Sequence, residues 1–182
     1  YEGEGRGDYL PIIYLPLATS HQLIDASTSI DLGGNTIIEG EVALSDRDLN
    51  LYSNKDDQDN IGLAYSGRLK MDRRRIALFK KGLGELAVEA NLQSVGKRFR
   101  PVGRIGEVEH GRKWGKEEGT YWDEKIHELR TSYYPLKGVE LRSEVGSMEG
   151  GGGFNSSRTM IEADVSKKRV PRVHYFSEWI LS

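Results

Sequence analysis

The chain contains four histidines: His21, His110, His127 and His174. Imidazole titrates near neutral pH, so a histidine oriented by a carboxylate can act as a general acid or base. Two of the histidines have such neighbours, which are Glu107 and Glu109 for His110, and Glu124 and Glu128 for His127. These neighbours make His110, His127 and Glu128 the candidate residues for one hypothesis, a hydrolase-type enzyme that uses a His–carboxylate pair.

Other signatures of catalysis and metal binding are missing from the sequence. The chain has no cysteine, which excludes disulfides, thiolate metal sites and cysteine nucleophiles. No Gly-x-Ser-x-Gly nucleophile elbow occurs, and no two histidines have the i,i+4 spacing that places two zinc ligands on one helical face. The sequence therefore favours a protein without catalytic activity, and it predicts no cofactor.

A polar loop at residues 53–60 contains the carboxylates that most resemble a metal site. Asp56, Asp57 and Asp59 could supply oxygen ligands to Ca²⁺, which binds several carboxylates on a flexible loop. Their spacing differs from that of the twelve-residue calcium loop found between two helices. We therefore expect a solvated loop, with these three residues as the only metal candidates.

The middle of the chain, residues 68–116, is strongly basic. It carries 14 basic and 5 acidic side chains, a net charge of +9, whereas residues 1–67 carry −9 and residues 117–182 carry −2. Cations of this kind neutralise phosphates, and aromatic side chains stack on unpaired bases. The candidate contacts to nucleic acid or another polyanion are Arg68, Lys70, Arg73, Arg74, Arg75, Lys97, Arg98, Arg100, Arg104, Arg112, Lys113 and Trp114.

A second interpretation of the basic segment is that its charges are neutralised by the acidic parts of the protein. The whole chain has a net charge of −2 and a pI of about 6.1, unlike a typical basic nucleic-acid module. Opposite charges on adjacent strands are common in sheets. The acidic and basic segments can therefore pair within one fold or between copies of the chain.

The elements that must position these residues are mostly strands. In Ile61–Val95 apolar residues recur at every second position, which puts them on one side of a strand and the polar residues on the other. This pattern predicts an antiparallel sheet with one face in water. The alternating apolar residues are Ile61, Leu63, Tyr65, Leu69 and Met71, and later Leu86, Val88, Ala90 and Leu92. A charged turn is expected at Asp72–Arg75, and helical spacing over 76–90 is a less favoured alternative because Gly82 and Gly84 interrupt it.

A hairpin is predicted over residues 28–44, around Gly33-Gly34-Asn35. A three-residue loop would pair Leu32 with Thr36 and Ile30 with Ile38, which keeps the apolar residues on one face. Such a loop requires a glycine or asparagine in the left-handed region of backbone space.

One helix is predicted, at residues 120–134. Thr120 is a candidate N-cap with an acidic residue three positions later, which forms an imperfect capping box. Trp122, Ile126 and Leu129 would share one face of this helix.

With 182 residues and 22 glycines, the chain is predicted to form a single β-rich domain over residues 1–182. Residues 1–20, with two prolines, are expected to include an extended N-terminal arm. The fold class is therefore all-β, or β-rich α+β, an antiparallel sandwich or barrel of roughly eight to ten short strands with one helix near 120–134. No run of about 18 apolar residues occurs, so no transmembrane segment is predicted.

Three functional hypotheses follow from these patterns. The leading one is a non-catalytic structural or assembly protein, a subunit of a virion or another large complex, which associates with itself or with other protein subunits. The second is a module that binds nucleic acid or another polyanion through residues 68–116. The third is the hydrolase-type enzyme. The sequence does not indicate a compartment, but we expect a soluble protein, which in the leading hypothesis belongs to a virion or another large complex.

Overall fold

The computed structural model describes residues 17–55, 57–78, 81–102, 110–115, 123–168 and 171–182. They form one antiparallel sheet of eight strands, and each strand pairs with the next in the sequence. The sheet is open, with β1 and β8 at its edges. The strands are β1 (Ser20–Gly33), β2 (Thr36–Asp48), β3 (Ile61–Leu78), β4 (Lys81–Val95), β5 (Glu124–Leu136), β6 (Val139–Gly150), β7 (Phe154–Val165) and β8 (Val173–Leu181).

Helical structure is minor in the described residues. The α-helix α1 (His110–Trp114) has five residues, and two 3₁₀ turns cover Asp57–Asp59 and Gly151–Gly153. Among the described residues, none of the helices has the length and apolar composition needed to cross a membrane. The predicted β-rich, antiparallel fold is confirmed.

The predicted two-residue alternation is also confirmed, and the register extends it across the whole sheet. Directly opposed residues of an antiparallel ladder point to the same face. One such row contains Ile30, Ile38, Leu69, Ala90, Leu129, Val145, Thr159 and Trp179. We call the face that contains this row the apolar face. The next row contains Asp31, Ile37, Lys70, Glu89, Arg130, Glu144, Met160 and Glu178, and it belongs to the charged face.

The face of the sheet that is covered is the opposite of the one we expected. We expected the apolar residues of β3 to be covered, but Leu63, Tyr65 and Leu69 are 41–47% exposed. On the charged face, by contrast, Ala64 is buried beneath the segment that follows β4. The alternation of apolar and polar residues was therefore predicted correctly. The prediction of which face is covered by the other described segments was wrong.

The predicted hairpin forms, with a different loop from the one expected. Ile30 pairs with Ile38 as predicted, but Gly33 instead of Leu32 lies opposite Thr36. Gly34 and Asn35 form the turn, both with positive φ, and Gly33, also with positive φ, lies at a bulge. The bulge absorbs one extra residue, so the apolar residues stay on one face although the turn has only two residues.

The helix predicted at residues 120–134 is wrong where the structure describes it, because residues 124–134 lie in β5. Strand pairing on both sides, with β4 and β6, satisfies the backbone of this segment. Its β-branched and aromatic residues also suit a strand better than a helix. Ile126 and Leu129, which would share a helical face, lie on opposite faces of the sheet.

Two further local predictions are corrected. The charged turn expected at Asp72–Arg75 is part of β3, which continues to Leu78 with a bulge between Met71 and Arg74. The helical alternative over 76–90 is not adopted by the described residues, which form β3 and β4. Most of the predicted N-terminal arm, residues 1–16, lies outside the described residues; β1 begins at Ser20.

Candidate functional site

The buried apolar side chains of the described residues lie on the charged side of the sheet, some beneath α1 and the others at the segment that follows β4. Trp114 at the end of this helix is 1% exposed and packs with Ile126 and Met148. Gly146 on β6 permits this approach, because a Cβ atom there would lie 2.8 Å from Cη2 of Trp114. The short helix is therefore held by one aromatic anchor that fits over a glycine.

A cluster of charged side chains surrounds this anchor. We call it the Glu144 cluster, and its members are Lys113, Glu128, Arg130, Glu144 and Arg158. The ammonium of Lys113 contacts the carboxylate of Glu128 and lies 3.5 Å from Oε1 of Glu144. Arg130 donates a hydrogen bond of 2.7 Å from Nε to Oε2 of Glu144, and Arg158 donates one to Oε1. One carboxylate thus receives three cations from α1, β5 and β7.

The position of Glu144 controls its protonation. Burial by itself disfavours the ionised carboxylate, but the hydrogen bond from Arg130 and the charges of Arg130, Lys113 and Arg158 outweigh it, and the pKa of Glu144 is lowered. Burial by itself would lower the pKa of the two guanidinium groups. Glu144 outweighs this effect at Arg130, and Glu178 and Glu144 outweigh it at Arg158, so the pKa of each arginine is raised. All of these charges are stabilised in their ordinary ionic forms.

The chemistry of the Glu144 cluster is therefore that of a structural ion-pair network. A general acid or base needs a pKa near the working pH, whereas the shifts move Glu144 and the arginines away from neutrality. Two of the contacts join α1 to the sheet through Lys113. The cluster and Trp114 together fix α1 on the charged face.

The candidate catalytic pair at His127 is not assembled. His127 and Glu128 are consecutive residues of β5, so their side chains point to opposite faces of the sheet. His127 lies in the row of Leu92 and Ser147 on the apolar face, whereas Glu128 contacts Lys113 on the charged face. The expected helical neighbours were separated by the change from helix to strand. The side chain of His110, like Glu107 and Glu109, lies outside the described residues.

The histidine that does meet carboxylates is one the sequence analysis did not select. Nδ1 of His174 on β8 lies 3.2 Å from Asp164 and 3.7 Å from Glu162, and the three groups could offer ligand atoms within 4.8 Å of one another. Arg172 and Arg142 already pair with these carboxylates, at 3.0 and 3.2 Å. Hydrogen bonds from Arg172 and His174 lower the pKa of Asp164. A cation would have to displace two guanidinium groups, so ion pairing explains this cluster without a metal.

Most basic residues of β3 have a partner within the sheet. Arg68 lies 3.5 Å from both Glu39 on β2 and Glu89 on β4, so it bridges an acidic and a basic part of the sequence. The remaining contacts of this strand are Lys70 with Asp72, Arg75 with Glu85, and Arg73 over the ring of Tyr134. Arg74 lies close to Gly34 in the β1–β2 turn.

The other candidates for polyanion binding are spread over different places. Arg98 donates to the carbonyl of Gln58, and the segment that contains Lys97 and Arg100 crosses the charged face at Gly62. Trp114 is buried and so unavailable to stack on a base. Lys113 belongs to the Glu144 cluster, Arg112 is exposed on α1, and Arg104 lies outside the described residues.

The candidate calcium loop is described in part. Asp57 and Asp59 lie in an exposed 3₁₀ turn, and Asp56 lies outside the described residues. The two aspartates are not part of a group of metal-ligating side chains among the residues that the structure covers.

The apolar face is the largest unusual surface of the described chain. Seven strand spacings of about 4.8 Å and strands about 30 Å long give it an area of roughly 1,000 Å². It is lined by partly exposed large apolar side chains from all eight strands: Ile24, Ile30, Ile38, Val42, Leu44, Leu63, Tyr65, Leu69, Leu92, Leu129, Leu141, Val145, Ile161, Tyr175 and Trp179. The largest apolar patch of a typical monomer is about 300–600 Å².

Comparisons with known proteins do not indicate a function for this surface. No protein-family model matches the sequence. No curated protein and no solved structure matches it significantly either.

Proposed function

We propose that the protein is a non-catalytic structural subunit of a larger assembly, and that the apolar face of its sheet is the surface through which it assembles. The observation that carries this proposal is the reversed burial of the sheet. Apolar side chains from eight strands remain accessible, while charged side chains such as Glu144 are covered.

Leaving such a face in water is energetically unfavourable. Removing apolar surface from water contributes about 25 cal/mol per Å². Over roughly 1,000 Å² this corresponds to at most about 25 kcal/mol before the costs of association are subtracted, because serine, threonine and glycine occupy part of the face. A cover for the face therefore has a large driving force.

The charged face supports a structural role in a different way. Its cations and carboxylates are paired with one another in the Glu144 cluster, around Arg68 and around Asp164. His127 and Glu128, one pair of sequence candidates, point to opposite faces of the sheet. These ion pairs hold α1 and the strands of the charged face together, which supports a structural role.

The assembly proposal is tested with two adjacent residues of β1 that point to opposite faces. Ile30, on the apolar face, is 52% exposed, and Ser29, on the charged face, is also exposed. We expect Ile30→Lys, alone or with Leu69→Lys, to reduce association measured by size exclusion with light scattering. Ser29→Lys adds the same charge to the same strand and should leave association unchanged.

Circular dichroism of each variant checks that the sheet is retained. The proposal would be contradicted if the native chain is monomeric at every concentration in buffer without detergent or lipid and also does not bind added vesicles. Equal effects of Ile30→Lys and Ser29→Lys would contradict it too.

A further inference from the structure

We propose that the apolar face lies against the hydrocarbon chains of a lipid bilayer. This inference rests on the proposed function, in which the apolar face is covered in a larger assembly, and it names a bilayer as that cover, with other protein strands at the sheet edges. The alternative occupant of greatest interest is the apolar face of a second copy of the chain.

The distribution of charge on the apolar face has the dimension of a bilayer. On β6 its outward positions from Val139 to Ser147 carry no charged residue, and Glu149 follows at the end of the strand. These nine residues span about 30 Å, close to the thickness of the hydrocarbon core, and strands of 9–11 residues suffice to cross it.

The other strands repeat this arrangement. On each of the eight strands, at least four successive outward positions lack Asp, Glu, Lys and Arg, and the polar residues among them are mainly serine, threonine and His127. The charges on this face lie towards the two ends of the strands, with Lys125 and Glu149 at one end and Arg74 at the other. The result is a continuous uncharged band across the sheet.

Amphipathic aromatic residues lie near both ends of this band. Tyr65 belongs to the same row as Lys125 and Glu149, although Leu63 and Ile61 continue the apolar positions of β3 beyond it. Tyr175 belongs to the row that contains Arg74. Tyr65 and Tyr175 are 43% and 54% exposed. Tyrosine is enriched at this position in membrane proteins because its ring can lie among the acyl chains while its hydroxyl reaches the headgroups.

The surface relief of the apolar face favours lipid over a second copy. Ile38, Gly67, Leu69, Leu92 and Leu129 are among the residues that line a shallow, open recess on this face. Fluid acyl chains can fill a recess of any shape, whereas a second copy fills it only where it presents a complementary ridge.

The two edge strands of the sheet also need hydrogen-bond partners in a bilayer. In hydrocarbon the outward backbone groups of β1 and β8 need hydrogen-bond partners, because each unpaired group costs several kcal/mol. The proposal therefore requires other strands, from further parts of the protein or from other copies, beside these two edges. This requirement agrees with a subunit of a larger assembly.

The test compares two tryptophans on opposite faces of the sheet. Trp179 is 50% exposed on the apolar face, and Trp114 is buried on the charged face. We reconstitute two variants into phosphatidylcholine vesicles whose acyl chains carry bromine, a contact quencher of indole fluorescence. Trp114→Phe with Trp122→Phe leaves Trp179 as the reporter, and Trp122→Phe with Trp179→Phe leaves Trp114.

We expect strong loss of Trp179 fluorescence, little loss of Trp114 fluorescence, and flotation with uncharged vesicles at both low and high salt. If Trp179 is not quenched while the chain forms a defined oligomer that Ile30→Lys dissociates, lipid contact is overturned and the proposed function stands. If Trp179 is not quenched and Ile30→Lys has no effect, both fail. Flotation only with anionic vesicles at low salt, without quenching, would show electrostatic adhesion by the basic segment and would also overturn the inference.

Discussion

At the scale of single residues, Glu144 shows how a mostly covered carboxylate can remain ionised. Its side chain is 8% exposed, yet three cations from separate elements contact it or lie within 4 Å. The sequence alone could not identify it, because Arg130 and Arg158 are distant in the chain and the register of β5, β6 and β7 brings them together. The pairing of His127 with Glu128 failed for the same reason, since adjacency in sequence places strand residues on opposite faces.

We predict that Glu144→Gln destabilises the fold by about 3 kcal/mol at pH 7, because it leaves buried cations without their shared anion. The lowered pKa of Glu144 means that its ionised form stabilises the folded state above the ordinary carboxyl pKa, and that this contribution is lost as the pH falls through the lower folded pKa. The difference between the native chain and Glu144→Gln should therefore shrink under acidic conditions.

Urea titrations in mild detergent at several pH values, followed by tryptophan fluorescence, measure this difference. Glu41→Gln is the matched control, because Glu41 is an exposed strand residue and its loss of charge should change stability little at any pH. A constant difference between native chain and Glu144→Gln from neutral to strongly acidic pH would contradict the assigned ion pairing.

At the scale of secondary-structure elements, the strands were predictable and the short helix was not. Period-two alternation identifies β3 and β4 because many residues repeat the same signal, and the hairpin at Gly34 and Asn35 adds its own turn chemistry. α1 has only five residues and owes its position to tertiary packing of Trp114. The sequence of residues 124–134 partly fits the periodicity of a helix and partly that of a strand. The segment forms a strand because it pairs with β4 on one side and with β6 on the other.

We predict that Gly146→Ala loosens α1 without disrupting the sheet. The new methyl group would lie 2.8 Å from Cη2 of Trp114, so the indole has to move, at a cost of about 1–3 kcal/mol. Acrylamide quenching of Trp114, in a variant where it is the only tryptophan, should increase. Gly82→Ala is the control, because nothing lies within 4 Å of a Cβ there and Gly82 needs no positive φ. Equal quenching in both variants would show that α1 is not held at Gly146.

At the scale of the whole molecule, the sequence predicted two chemically different faces but not which of them is covered. The covered face is the charged one because α1 and the segment at Phe99 lie on it. Neither segment has a hydrophobic periodicity from which its position on the sheet could be predicted. The segmentation of charge along the chain was visible, and one ion pair of the sheet joins two of the segments: Arg68 of the basic segment lies 3.5 Å from Glu39 of the acidic segment. Its second carboxylate partner, Glu89, belongs to the basic segment itself. The acidic and basic segments thus meet across neighbouring strands.

This pairing leads to a prediction about polyanions. Because cations such as Arg68 are already paired, we expect the native chain to bind labelled single-stranded nucleic acid weakly in fluorescence anisotropy, with little dependence on salt. Glu39→Gln with Glu89→Gln removes the two carboxylate partners of Arg68, which keeps its hydrogen bond to Asn91, and should strengthen this binding and its salt dependence. Glu41→Gln with Glu149→Gln makes the same change in net charge away from these pairs and should have a smaller effect. Tight binding by the native chain that falls steeply with salt would instead show that the basic segment keeps enough free charge to act as a polyanion site.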